Sequence, residues 1–128
     1  MRSVLLACAG SLVLLAPVTA HHSFAAHYFE EKTVRVEGEL VQFDYGNPHA
    51  WVRVMVKDDA GALQKVSAEW ASATRLQQRG ITAETLKPGD RLVITGAPGR
   101  DPAERHVHVK TIERPSDGWQ WSGRNVTR

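Results

Sequence analysis

Cysteine is almost missing from this chain of 128 residues: Cys8 is the only one, and it falls within the apolar leader. Beyond that leader no disulfide and no thiolate site can form, so any metal must be held by imidazole, carboxylate or backbone nitrogen. An excess of charge of one sign is also missing. Sixteen Lys and Arg stand against fourteen Asp and Glu, interspersed along the chain, and that balance argues against nucleic acid as a partner. No long apolar run follows residue 18, so no stable membrane insertion is expected. There is no HExxH, no phosphate-binding glycine loop and no CxxC. Ser23, Ser67, Ser72, Ser116 and Ser122 sit in no nucleophile-elbow context. The neighbouring carboxylates Glu30-Glu31 and Asp58-Asp59 lie in an arm and a turn, where solvated charge is the default. No catalytic residue is nominated, and a binding module is favoured over an enzyme.

What is present begins with a leader. Met1-Arg2 gives a short positive start, residues 4–18 are apolar, and Val18-Thr19-Ala20 offers small residues where a signal peptidase reads. The apolar stretch falls short of the roughly 20 residues a membrane-spanning helix needs. Residues 1–20 are therefore expected to be a cleaved signal peptide, and the mature protein to be periplasmic and soluble. The competing reading takes Leu5-Leu6-Ala7-Cys8 as a lipoprotein box, but only four residues precede it and the apolar run continues past Cys8.

Residues 21–32 show no period and read as a histidine-containing arm. From Thr33 the pattern alternates, Val34, Val36 and Leu40 against Arg35, Glu37 and Glu39, with Gly38 a candidate bulge. "DYGNPHA" is a turn, "WVRVMVK" a second strand, and "DDAG" a hairpin into "LQKVSAEW". Ser72 is a candidate N-cap for "ATRLQQRG", and "ITAETLKPGD" reads as a second short helical turn. "RLVITG" and "HVHVKTIE" give two last strands, and residues 115–128 form an irregular tail. Three strands, a helix and two strands over residues 33–114 predict a mostly β fold. The expected architecture is a small five-stranded OB-like Greek-key barrel with a short helix between strands three and four.

The six histidines carry the candidate chemistry. Cleavage after Ala20 would give His21 a free α-amino group, which together with its ring Nδ1 can chelate one metal as a histidine brace when another imidazole completes the set. An α-amino group titrates near ~8, so copper(II), first in the divalent affinity order and content with tetragonal nitrogen ligands, can displace its proton. The amine, the His22 amide and the His22 ring offer another mode, while Ser23 rules out the three-residue amino-terminal copper motif. His27 lies in the same arm. His106 and His108 are two apart in a strand and so share a face, with Val107 and Val109 on the core side. His49, in "NPHAW", is either a further ligand or a turn residue bonded to nearby backbone.

Four tryptophans are many for such a domain. Trp51 lies opposite the valines of its strand, where an OB-fold binds extended ligands, unless Trp119 or Trp121 of the tail covers it. Arg53, Glu69 and Trp70 share that neighbourhood, Glu69 able to orient a histidine or pair with Arg53. "HHSFAAHY", "GELVQFDYGNPHAWVRVMVKDDAG" and "LKPGDRLVITGAPGRD" together resemble the uncharacterised bacterial exported family known as domain of unknown function 6152, across essentially all of residues 21–128. The resemblance implies an exported small β-domain without an assigned activity, and it marks His21, His22, His27 and His49 as family-pattern positions. Tyr28-Phe29 and Phe43-Asp44-Tyr45 depart from that pattern without removing a histidine. The expected function is copper capture or delivery, with His21 supplying amine and ring, and His22, His27, His49, His106 or His108 completing the site. The alternative is a small organic or sugar-like ligand, or a periplasmic protein partner, on the Trp51 face. Oxidase chemistry like that of other histidine-brace proteins is a third possibility.

Overall fold

Period-two alternation becomes sheet wherever the sequence carries it. The computed structural model describes residues 24–123. Within them lie α1 (Phe24–His27), β1 (Val34–Asp44), β2 (Trp51–Lys57), β3 (Leu63–Glu69), α2 (Ala73–Gln77), β4 (Arg91–Pro98), β5 (His106–Arg114) and β6 (Trp119–Ser122). The leader, Cys8, His21 and His22 lie outside the described residues.

Strand β1 organises the barrel. Its first half pairs antiparallel with β4 (Val34↔Gly96 to Glu39↔Arg91) and its second half with β2 (Glu39↔Met55 to Asp44↔Trp51). One long strand thus serves two neighbours, and a bulge between Leu40 and Gln42 lets it coil. The bulge is at Val41, not at Gly38 as expected. Gly38 is glycine for another reason: a Cβ there would lie 2.2 Å from the Met55 carbonyl oxygen. β3 pairs antiparallel with β2 and parallel with β5, through Ser67↔His106, Ala68↔Val107 and Glu69↔His108. That parallel contact closes five strands into an OB-like barrel, which leaves fewer free edges.

The alternate residues meet inside. Leu40, Val52, Val54, Leu92, Ile94 and Ile112 are fully buried, each contributing about 1.5–3 kcal/mol of apolar burial. Helix α2 closes one end of the barrel by inserting Leu76. Its Ser72 cap is as expected, the hydroxyl accepting from Arg75 N. Two features differ from the sequence expectation. "ITAETLKPGD" is a run of turns, because the Thr82 and Thr85 hydroxyls bond backbone N–H groups locally and compete with a helix. The tail is not wholly irregular: Asp117 and Gly118 (φ +74°) turn it back, and β6 adds antiparallel to β5, from Thr111↔Ser122 to Arg114↔Trp119.

Candidate functional site

The outer face of the closing seam carries the polar residues. Register sets Trp51 of β2 beside Glu69 of β3, and Glu69 beside His108 of β5, in one cross-strand row. Arg53, Ser67 and His106 form the row next to it. Across this face runs the arm of residues 24–33, which is fastened at many points. Tyr28 bridges to Gly99, Phe29 N donates to the Pro98 carbonyl, and Arg100 donates from its backbone N to His27 O and from Nε to Ala25 O. Farther along, Lys110 Nζ donates to Glu30 O, Lys32 O and Thr33 Oγ1. Arm and barrel wall enclose a cleft of about 390 Å³.

Two side chains of that cleft are held by partners behind them. His49 Nδ1 lies 3.3 Å from the Trp70 carbonyl oxygen. A carbonyl only accepts, so Nδ1 is the donor of this contact, and the ring is turned with Nε2 toward the cleft. Nε2 faces Glu69 Oε1 at 3.7 Å, beyond hydrogen-bond reach. The other oxygen of Glu69, Oε2, accepts the Tyr28 hydroxyl at 2.5 Å. Tyr28 is buried, and that burial, then the bond to Glu69, raises its hydroxyl pKa well above the ordinary 10.0. His49 Nε2 and Glu69 Oε1 thus face each other across the cleft wall, each side chain oriented from behind.

His27 is exposed at the rim. His106 enters the same cleft, its ring 5.1 Å from Trp51 and its Nδ1 3.4 Å from Glu104 Oε2. The cleft therefore gathers His27, His49, His106, Trp51 and Glu69 from the sequence candidates. Among the described residues its charged lining consists of Glu69 and Glu104, with no Lys or Arg, which favours a cation. His108 shares the outer face with His106, as expected, yet lies apart from it: Phe24 stacks on its ring at 3.8 Å and Glu30 takes its Nδ1 at 2.8 Å. Arg53 pairs with Asp44 rather than Glu69. Trp70 is a core residue and Trp121 packs on it, while Trp51 lines the cleft, uncovered by Trp119 or Trp121 among the described residues.

Sequence reasoning missed Phe24, Tyr28 and Glu104 as cleft residues. For the first two a signal existed: in "FAAHY" they stand four apart, one side of a helical turn. Among the described residues no three His, Cys, Asp or Glu side chains converge closely enough to hold a metal ion unaided. No described helix is long and apolar enough to cross a membrane. The profile of a family described as a family of unknown function (DUF6152) matches residues 10–108. No curated protein matches the chain.

Proposed function

The chain belongs to the DUF6152 family, and we propose that it is an exported, periplasmic binding module that captures a metal ion, copper by preference, in the cleft beneath its N-terminal arm. One observation carries this reading: His49 Nε2 and Glu69 Oε1 face each other at 3.7 Å, each oriented by a hydrogen bond from behind. Two metal–ligand bonds of about 2.0–2.2 Å span that gap, and partners such as the Trp70 carbonyl and the Tyr28 hydroxyl are what orient ligating side chains elsewhere.

Two donors do not hold a metal, so the remaining ones must come from the arm. His21 and His22 precede Phe24 by three and two residues, a reach of at most about 7–11 Å, and Phe24 lines the cleft. With cleavage after Ala20, the His21 amine and ring would join His49 and Glu69, and His27 and His106 stand at the rim to assist. A nitrogen-rich set of this kind suits copper(II). The protein would carry the ion without acting on a substrate.

Electron paramagnetic resonance of Cu(II) tests this on the mature chain beginning at His21, beside a chain with one glycine placed before it and a His49→Gln variant. Nitrogen coupling in the mature chain, altered in both variants, is the expected result. Identical spectra from all three would overturn it. A second reading is favoured by the aromatic walls of Phe24, Tyr28 and Trp51: a small organic or sugar-like ligand, or a protein partner, packing on the Trp51 face. Quenching of Trp51 fluorescence by such a ligand in metal-free protein would support it over copper.

A further inference from the structure

On the other side of Phe24 lies a second cavity, of about 480 Å³, between α2 and the β5–β6 edge. Its floor is Trp70, Leu76, Val109 and Trp121, and Arg75 and Arg79 belong to its lining. Its charge is opposite to that of the cleft. Among the described residues the cleft has carboxylates and no Lys or Arg, whereas this cavity has two guanidinium groups and no Asp or Glu. Arg79 is anchored, donating from Nη1 to Ser122 O at 3.0 Å with its guanidinium 5.3 Å from the Trp121 ring. The exposed Arg75 side chain makes no hydrogen bond or ion pair among the described residues.

The floor is built on two indoles. The indole Nε1 of Trp70 and that of Trp121 are both buried and without an acceptor among the described residues. Trp70 is only 1% exposed. The two indoles meet edge to face, centroids 5.1 Å apart and planes at 82°. One edge can point at one face, so that contact absorbs at most one N–H as a weak N–H···π bond. Both nitrogens are closed off in this structure, so a ligand in the cavity meets the indole rings and not their N–H groups.

We propose that this cavity binds an organic monocarboxylate with an aromatic or branched apolar body. A carboxylate only accepts, which matches a lining whose charged groups are the Arg75 and Arg79 guanidiniums. The body would pack on Trp121, Leu76 and Val109, much as aromatic surfaces pack elsewhere. The cavity shares Phe24, Pro48 and His49 with the cleft, but Arg75 and Arg79, which would hold the carboxylate, are not among the donors assigned to the metal.

The indole N–H groups are themselves the reporters. Full-length mature protein labelled with 15N is titrated with 2-naphthoate and, separately, with the uncharged 2-naphthamide. Indole signals are assigned with Trp51→Phe, Trp119→Phe and Trp121→Phe, leaving Trp70 by elimination. Naphthoate should move the Trp70 or Trp121 N–H signal saturably and leave Trp51 in place. The amide should bind at least about tenfold more weakly, as should naphthoate to Arg75→Gln, since a charge-assisted bond is worth about 1.5–3 kcal/mol. Arg75 lies on the exposed face of α2, so that variant should fold. Equal binding of the two probes, unchanged affinity in Arg75→Gln, shifts centred on Trp51, or no saturation by about 10 mM would each overturn the proposal.

Discussion

The Tyr28 hydroxyl donates to Glu69 Oε2 at 2.5 Å, joining the N-terminal arm to the barrel across 41 positions of sequence. Tyr28→Phe deletes that donor and leaves a carboxylate oxygen unmet in the cleft wall. A hydrogen bond to a charged group contributes about 1.5–3 kcal/mol, so urea denaturation near pH 8 should show a loss of that order. The same change should release the arm, seen as faster amide exchange at Tyr28 and Phe29, whose N–H groups bond Phe24 O and Pro98 O.

The same bond predicts a loss of stability in alkali. Burial first, and the hydrogen bond to Glu69 next, raise the Tyr28 hydroxyl above its ordinary 10.0. A group whose folded pKa is raised contributes its stability below the unfolded value and loses it as pH climbs past about 10. Denaturation midpoints of the native protein should therefore fall between about pH 10 and 11 more steeply than those of Tyr28→Phe. Parallel declines would contradict the assignment.

Arg114 fastens β6. It donates to Asp90 Oδ2, to both oxygens of Asp117 and to Thr85 O, while its guanidinium lies 5.6 Å from the Trp119 ring. The Arg114 bonds, then the Trp119 backbone N–H, hold the Asp117 carboxyl below its ordinary 3.8. A depressed carboxyl contributes stability above its unfolded pKa, near 3.9, and loses it as pH falls through the lower folded value. Thermal melts followed by near-ultraviolet circular dichroism should drop below about pH 4, and Asp117→Asn should drop less steeply. Glu37 and Asp58 are depressed in the same direction, so part of the acid loss should persist in the variant.

Gly96 pairs with Val109 on the neighbouring strand and lies against the His108 carbonyl. A Cβ at Gly96 would lie 2.2 Å from the His108 carbonyl oxygen and 2.5 Å from Val107 Cγ1, and backbone has little room to yield. Gly96→Ala should cost about 2–4 kcal/mol. Gly46→Ala meets nothing within 4 Å and should stay within about 0.5 kcal/mol. Urea midpoints of the two variants check the contrast.

The barrel was legible because its signal is local. In "WVRVMVK" and "HVHVK" the valines alternate with polar residues, and Val52, Val54, Val107 and Val109 are buried. Strand order and loop length then favoured one closed topology. β6 was missed although "DGWQW" has both a turn and alternation, because four residues are a weak sample. The pairings of the cleft were not legible at all. Tyr28 with Glu69, His49 with the Trp70 carbonyl and His108 with Glu30 join positions 41, 21 and 78 apart. The first needs the arm docked over β3, the second extends the β2–β3 pairing, and the third needs the arm docked on β5. The split between His106 and His108 has a similar origin: strand period sets their common face, but the arm, through Phe24, covers only His108.

Paramagnetic broadening by Cu(II) tests the central claim most directly, because it locates the ion instead of merely detecting it. About 0.1 equivalent is added to mature 15N-labelled protein beginning at His21, and indole and imidazole signals are followed. A metal held between the arm and His49 should broaden His49, His27, His106 and the Trp51 indole, and spare Trp119 on β6. Broadening confined to the first residues of the arm, with His49 and Trp51 untouched, would contradict it.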